Sequence, residues 1–187
     1  MQAMIKEYCK TLKIGRTFYL DYKDIEAASN EEFLLKLLKQ ELAQREISRK
    51  KRLLKSAGFD VLKTFQDYSF EYIDIPKTIS LESLKNAHFI KNKENLILYG
   101  PVGTGKTHLA TAIGVEACNQ GKAVKFFRTA ALVNQLSEAK ASGTLNKYMR
   151  QIQKCDLLIC DEWGYVPFEK GGAQLLFQVI SECYEKR

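Results

Sequence analysis

"GPVGTGKTHLA", Gly100 to Ala110, fits the pattern G-x-x-x-x-G-K-[ST], and its flanks decide how it is read. Before it stands the short apolar run "NLILYG" (residues 95–100), which reads as a buried strand. After it a helical pattern runs from Lys106 to Gln120, and Gly121 ends it. A strand, a glycine loop and a helix in that order make a phosphate grip. The glycines let the backbone curl, so that consecutive N–H groups point inward at phosphate oxygens. The helix that starts at the loop's end adds its positive pole. Lys106 supplies a mobile cation for the β- and γ-phosphates, and the Thr107 hydroxyl is a ligand for Mg²⁺. The expected nucleotide-binding set is Gly100, Pro101, Val102, Gly103, Thr104, Gly105, Lys106, Thr107 and His108. A glycine-rich turn matching the pattern by accident would not need these flanks.

Downstream, "AVKFFRT" (residues 123–129) reads as a second strand, and Thr129 as the cap of a helix through about Lys140. A further helix is expected over 144–154, then a third strand, "CDLLICDE" (residues 155–162), and a last helix, "GAQLLFQVISECYEKR" (residues 172–187). Strands separated by helices of this length imply a parallel sheet with helices on both faces. The third strand is apolar enough to be buried on both faces, so its polar tip emerges at the sheet's carboxyl edge, where ligands bind in open α/β sheets. There Asp161 is expected to orient Mg²⁺, directly or through water, and Glu162 to polarise the water that attacks the γ-phosphate. The alternative, solvated acids in a turn, loses its appeal once a phosphate loop precedes them. The glutamate also separates enzyme classes, since a small-molecule kinase must exclude water and a hydrolase must activate it.

The first third of the chain has a different character. "SNEEFLLKLLKQELAQREISRKKRLLKSAGF" (residues 29–59) has Ser29 and Asn30 as possible caps, acids in the first turn, leucines at 34, 38 and 42, and a stop at Gly58. One long helix is expected, preceded by one or two short ones between Ala3 and Ala28. Within it, Arg45 to Lys55 holds six basic residues and one acid, a local patch in a chain of net charge +7. Arg45, Arg49 and Arg52 form one stripe, and Lys51 and Lys55 stand on an adjacent face. With Lys50, they are the expected contacts to a duplex phosphate backbone. A merely solvated helix face is the competing reading. Residues 59–94 are mixed and polar, with a short helix between Ser80 and Ile90, and Pro76 excludes one continuous helix. Phe65, Tyr68 and Phe70 in this stretch either line a base pocket or, the favoured alternative, pack in the core. The expected organisation is a helical domain at 1–58, a connector at 59–94 that packs on the following domain, and a phosphate-loop core at 95–187.

Composition excludes other classes. No apolar run approaches the roughly 20 residues that span a bilayer, and the charged N-terminus lacks a signal peptide's apolar stretch. A cytoplasmic protein without membrane contact is expected. The five cysteines form no C-x-x-C pair, and with only His88 and His108 available a zinc or histidine-centred site is not expected.

"LYGPVGTGKTHLATAIGVEAC", "ALVNQLSEAKASGTLNKYMR" and "DLLICDEWGYVPFEKGGAQLLFQVISECYEKR", with "KKRLLKSAGFDVLKTFQDYSFEY" upstream, resemble the IstB-like ATPases. These are helper proteins of one class of insertion sequences and relatives of the DnaC-type helicase loaders, within the AAA+ group. The resemblance covers nearly the whole chain. It implies an AAA+ P-loop NTPase that binds ATP and Mg²⁺, hydrolyses ATP, forms a homo-oligomer on double-stranded DNA and recruits or stimulates a transposase. It places nucleotide and Mg²⁺ on Gly100 to Thr107, and hydrolysis on Asp161 and Glu162, with Lys106 assisting. Trp163 stands where the family more often shows an aliphatic residue and is assigned packing alone.

Family members continue past "SECYEKR" with a strand carrying a polar sensor residue and with an arginine that completes a neighbour's site; Arg187 is a poor substitute for the latter. In the implied sheet order that strand lies between "NLILYG" and "DLLICDE". A C-terminally truncated domain is therefore expected, with unpaired backbone between the two motif strands and slow turnover. Two further readings stay open: a loader of a replicative helicase, and a nucleotide-gated adaptor without turnover.

Overall fold

The computed structural model describes residues 1–71, 73–77, 79–163 and 170–186, with the side chains of 170, 185 and 186 left aside. The last residue, Arg187, lies outside the described residues. The chain forms two compact units, Met1–Arg52 and Leu53–Arg187.

In the first unit, α1 (Gln2–Thr11) and α2 (Arg16–Leu20) precede a 3₁₀ turn at Asp21–Asp24 and the long helix α3 (Asn30–Ala57), whose last five residues belong to the second unit. The start of α3 is a capping box. The Glu32 N–H donates to Ser29 Oγ at 3.1 Å, and the Ala28 N–H donates to Glu32 Oε2 at 2.8 Å. The face of α3 that meets its own unit is that of Leu37 and Glu41, both buried. Leu34, Leu38 and Leu42, which carry the helical period, are instead about half exposed or more. Hydrogen bonds set this rotation. Glu41 Oε1 accepts from the Gly15 N–H at 2.8 Å and from Arg45 Nε at 2.6 Å, and Arg45 donates to the Lys13 carbonyl at 2.8 Å. A Cβ at Gly15 would lie 2.6 Å from Glu41 Oε2, so any other residue there would push this carboxylate out of place. Glu41→Ala is expected to lower the stability of this unit by about 1–3 kcal/mol, the cost of stranding polar groups out of water. Chemical denaturation checks this, and Gly15→Ala should be destabilising through the same contact.

In the second unit, β1 (Val124–Arg128) pairs in parallel with β2 (Leu157–Asp161), Val124 opposite Leu157 and Arg128 opposite Asp161. Two helices, α7 (Thr129–Ala141) and α8 (Leu145–Ile152), connect them. The alternation along the strands sorts side chains onto two faces. Val124, Leu157 and Ile159 pack with Leu109, Ile113 and Ala117 of α6 (Lys106–Asn119), joined by Phe59, Phe65, Tyr68 and Phe70 of the preceding segment. Phe127, Leu158 and Cys160 pack on the other side with Leu132 and Leu136 of α7, Met149 of α8 and Leu175 and Val179 of α9 (Lys170–Lys186). Helices therefore cover both faces of a parallel sheet. Two five-residue helices, α4 (Leu81–Lys85) and α5 (His88–Asn92), stand where one short helix was expected. The residue between them and the start of α5, Ala87, has φ +51°, a left-handed conformation that breaks a continuous helix.

Two expectations are corrected. "NLILYG" is not a strand: residues 94–100 carry no ladder. It keeps a strand's alternation, with Leu96 and Leu98 against the core while Ile97 and Tyr99 are 86% and 97% exposed. Among the described residues the sheet has only β1 and β2, and this segment pairs with neither. For the same reason β2 is half-buried along its length rather than fully buried, although both its faces carry core contacts. Thr129 does not cap α7. It is the helix's first residue, fully buried, and its hydroxyl donates elsewhere. Among the described residues, no helix is long and apolar enough to cross a membrane.

Candidate functional site

The loop from Gly100 to Gly105 owes its curl to three glycines with positive φ: +152° at Gly100, +80° at Gly103 and +81° at Gly105. A side chain at any of them would be strained, so the composition of the loop is dictated by its shape. Thr104 Oγ1 donates to the Pro101 carbonyl at 2.9 Å and braces the turn. The Lys106 ammonium, on the first residue of α6, folds back over the loop to donate to the same carbonyl at 2.6 Å. Thr107 follows, exposed on the first turn. The loop thus brings a mobile cation, a free hydroxyl and a helix N-terminus to one place.

The loop rests on the preceding segment. A Cβ at Gly105 would meet the Tyr68 ring at 3.0 Å, and the Tyr68 ring lies 5.0 Å from both the Phe70 and the His108 rings. His108 Nε2 is 3.0 Å from the Thr64 carbonyl, so this side chain faces the segment beneath the loop. Phe65, Tyr68 and Phe70 pack against the core cluster. Burial also raises the Tyr68 hydroxyl above its ordinary pKa.

At the carboxyl end of β2, Asp161 closes the strand and Glu162 turns out of it with φ +59°. A non-glycine residue in this conformation is uncommon, and strain of this kind clusters at functional sites. Two bonds fix the turn. The buried Thr129 hydroxyl donates to the Asp161 carbonyl at 2.6 Å, and the Trp163 indole donates to the Cys160 carbonyl at 2.9 Å. Trp163 therefore braces the acid tip, and, 51% exposed, it does not pack in the core as expected. Arg128, in register with Asp161, donates to Asp60 Oδ2 at 2.7 Å and brings its Nε within 4.0 Å of Glu162 Oε1. Both partners of the second pair are about half exposed, so it adds little to the stability of the fold. Behind the tip, burial together with the neighbouring Cys183 and Cys155 pushes the Cys160 thiol up to about 12, so it stays neutral at physiological pH.

Arg128 and Thr129 were missed as parts of this site. Parallel register was the available signal, because it sets the end of β1 beside the end of β2. Asp60 had none. Among the described residues, no group of three or more His, Cys, Asp or Glu is placed to hold a metal. Mg²⁺ at phosphate sites needs only one or two protein oxygens beside the phosphates, and Thr107 and Asp161 have the right chemistry.

Of the basic residues on α3, Arg45 is tied to Glu41 and Lys13, and Lys50 lies 3.5 Å from Glu46. Lys51, Arg52 and Lys55 have no ion pair with a described residue. Arg49 is exposed on the same helix.

A family model for IstB-like ATP-binding proteins matches residues 19–187. A protein of Geobacillus stearothermophilus, named an ATP-binding protein of insertion sequence IS5376, is 34% identical over 190 residues, covering 99% of this chain and 76% of its own. One from Bacillus thuringiensis subsp. berliner, named for insertion sequence IS232, is 33% identical over 156 residues, covering 83% and 62%. One from Pseudomonas aeruginosa, named for insertion sequence IS21, is 35% identical over 155 residues, covering 83% and 58%. The chain thus spans about three quarters of the first relative and less than two thirds of the other two.

Proposed function

The chain belongs to the family of IstB-like ATP-binding proteins of insertion sequences, and on that premise we propose that it is a Mg²⁺-dependent ATPase that acts on DNA as a helper of transposition. The observation that carries the reading is the loop, in which three positive-φ glycines and the cation of Lys106 meet at the start of α6. The amides of the loop hold the phosphates, and Lys106 leaves the Pro101 carbonyl for the β- and γ-oxygens. Thr107 and Asp161 would hold a magnesium ion, which would supply charge neutralisation at the phosphates. Glu162 orients water and takes its proton, and Arg128 places a positive charge 4.0 Å from that carboxylate. A filter-binding or calorimetric titration with ATP, followed by phosphate release with and without DNA, tests the reading. Binding that needs Lys106 and turnover that needs Glu162 are expected.

The DNA and transposase parts rest on the insertion-sequence relatives and on α3. Arg49, Lys51, Arg52 and Lys55 would meet duplex phosphates, sequence-tolerantly, with assembly of several copies along the duplex. Replacing Arg49, Lys51 and Arg52 by alanine should weaken DNA binding and lower the slope of log K against log[salt] by as much as about 3, at about 0.9 per lost phosphate contact. An unchanged slope would assign this patch to protein contacts. Co-purification with a transposase, rather than with a replicative helicase, is the expected outcome for the client.

A further inference from the structure

We infer that the outer face of α8, with the turns before and after it, is a second binding surface for the phosphodiester backbone of duplex DNA, separate from α3 and from the nucleotide site. The inference rests on the proposed association with DNA and deepens it.

Between Ala139 and Cys155 the sequence holds four basic residues and no acid. The fold gathers three of them. Lys147, Arg150 and Lys154 line a groove of about 530 Å³ together with Thr144, Asn146 and Gln151, all exposed. Lys147, Arg150 and Gln151 share one face of α8, and Lys154 follows on the turn after the helix. The opposite face is spent on the core, where Met149 and Ile152 are buried beside Leu132 and Leu136.

A solvated helix face would give the same exposure, but several solvated bases of this chain find a counter-charge on their own helix. On α3, Lys36 pairs with Glu32, Arg45 with Glu41 and Lys50 with Glu46, each one turn apart. Lys147, Arg150 and Lys154 have no such partner among the described residues. The flanking acids do not serve: Asp156 accepts the Ala123 N–H at 2.7 Å, and neither it nor Glu138 lines the groove. Three like charges held together without counter-charge repel, and an external polyanion relieves that repulsion.

The dimensions and lining select the anion. From Lys147 to the end of α8 at Ile152 a helical rise of about 1.5 Å per residue spans about 7.5 Å, and the turn that carries Lys154 extends the stretch to the scale of about three phosphates of one strand at about 3.4 Å rise each. Thr144, Asn146 and Gln151 add neutral donors suited to phosphate and sugar oxygens. Single-stranded binding sites offer aromatic platforms for bases. Here the one aromatic of α8, Tyr148, is turned away to donate to Gln135 and lines no part of the groove. A backbone-reading, duplex surface remains.

The test is a triple substitution, Lys147→Ala, Arg150→Ala and Lys154→Ala, in the full chain, with duplex DNA binding measured across a salt series and ATP titrated in the same preparation. The expected result is an affinity for the duplex about tenfold lower or more, a salt slope reduced by about 2–3, and unchanged ATP binding. The loss should add to that of the α3 substitutions. Duplex affinity and slope equal to those of the unsubstituted chain would overturn the inference while leaving the α3 contact standing. An unsubstituted chain with no salt-dependent duplex binding would overturn both, and its ATP titration would still report separately on the nucleotide reading.

Discussion

Lys106→Ala is expected to raise the dissociation constant for ATP about a hundredfold, with little change in melting temperature. Hydrogen bonds to charged groups are each worth about 1.5–3 kcal/mol, and the ammonium makes more than one to a triphosphate, so a loss of about 3 kcal/mol is the expected scale. In the fold itself the ammonium only bridges the Pro101 carbonyl and, at 3.4 Å, the Thr104 hydroxyl. The curl of the loop does not depend on it, because the positive-φ glycines and the Thr104 bond to Pro101 hold the turn independently. Affinity should therefore fall without unfolding. Parallel ATP titration and thermal denaturation check both halves. ATP affinity unchanged by the substitution would remove Lys106 from the site.

Glu162→Gln is expected to have the opposite profile: ATP affinity kept, and phosphate release reduced by about two to four orders of magnitude. General-base catalysis contributes on that scale, and an amide cannot accept the proton from water. Glutamine has nearly the shape of glutamate, so the strained φ of +59° and the bonds from Thr129 and Trp163 that fix the turn remain. What is lost is the charge that Arg128 faces at 4.0 Å. That pair is half exposed, so its loss should hardly move stability. Single-turnover phosphate release, measured at saturating ATP, separates the chemical step from binding. Equal release from both forms would reassign the acid pair to a structural turn.

How far the sequence could be read depended on how local each feature was. The phosphate loop was legible because its shape is enforced within a few residues: only glycine tolerates the φ values found at 100, 103 and 105. The helical period of α3 was equally legible, but the face it buries was not. That face is chosen by Gly15 and Lys13, distant in sequence, which meet Glu41 and Arg45. "NLILYG" shows the limit most clearly. Its alternation is real, with Leu96 and Leu98 turned inward, yet a strand exists only through a neighbour's backbone, and periodicity carries no information about that neighbour. Thr129 illustrates the same competition at one residue. A threonine before a helix suggests a cap, but at the end of a parallel strand its hydroxyl reaches the adjacent strand's last carbonyl, and that buried bond wins. The acid tip was found from the apolar run that ends in Asp161 and Glu162. Of its supports, Arg128 comes beside it only once β1 and β2 are in register, and Asp60 reaches Arg128 from the segment after α3.

The central claim is that the curled amides of residues 100–105 and the cation of Lys106 capture the phosphate chain of a nucleotide. Isothermal titration of the purified chain with ATP, ADP and AMP in the presence of Mg²⁺ tests it directly. One site per chain that takes ATP and ADP and rejects AMP is the predicted result. No heat with ATP, or AMP bound as tightly as ATP, would contradict it.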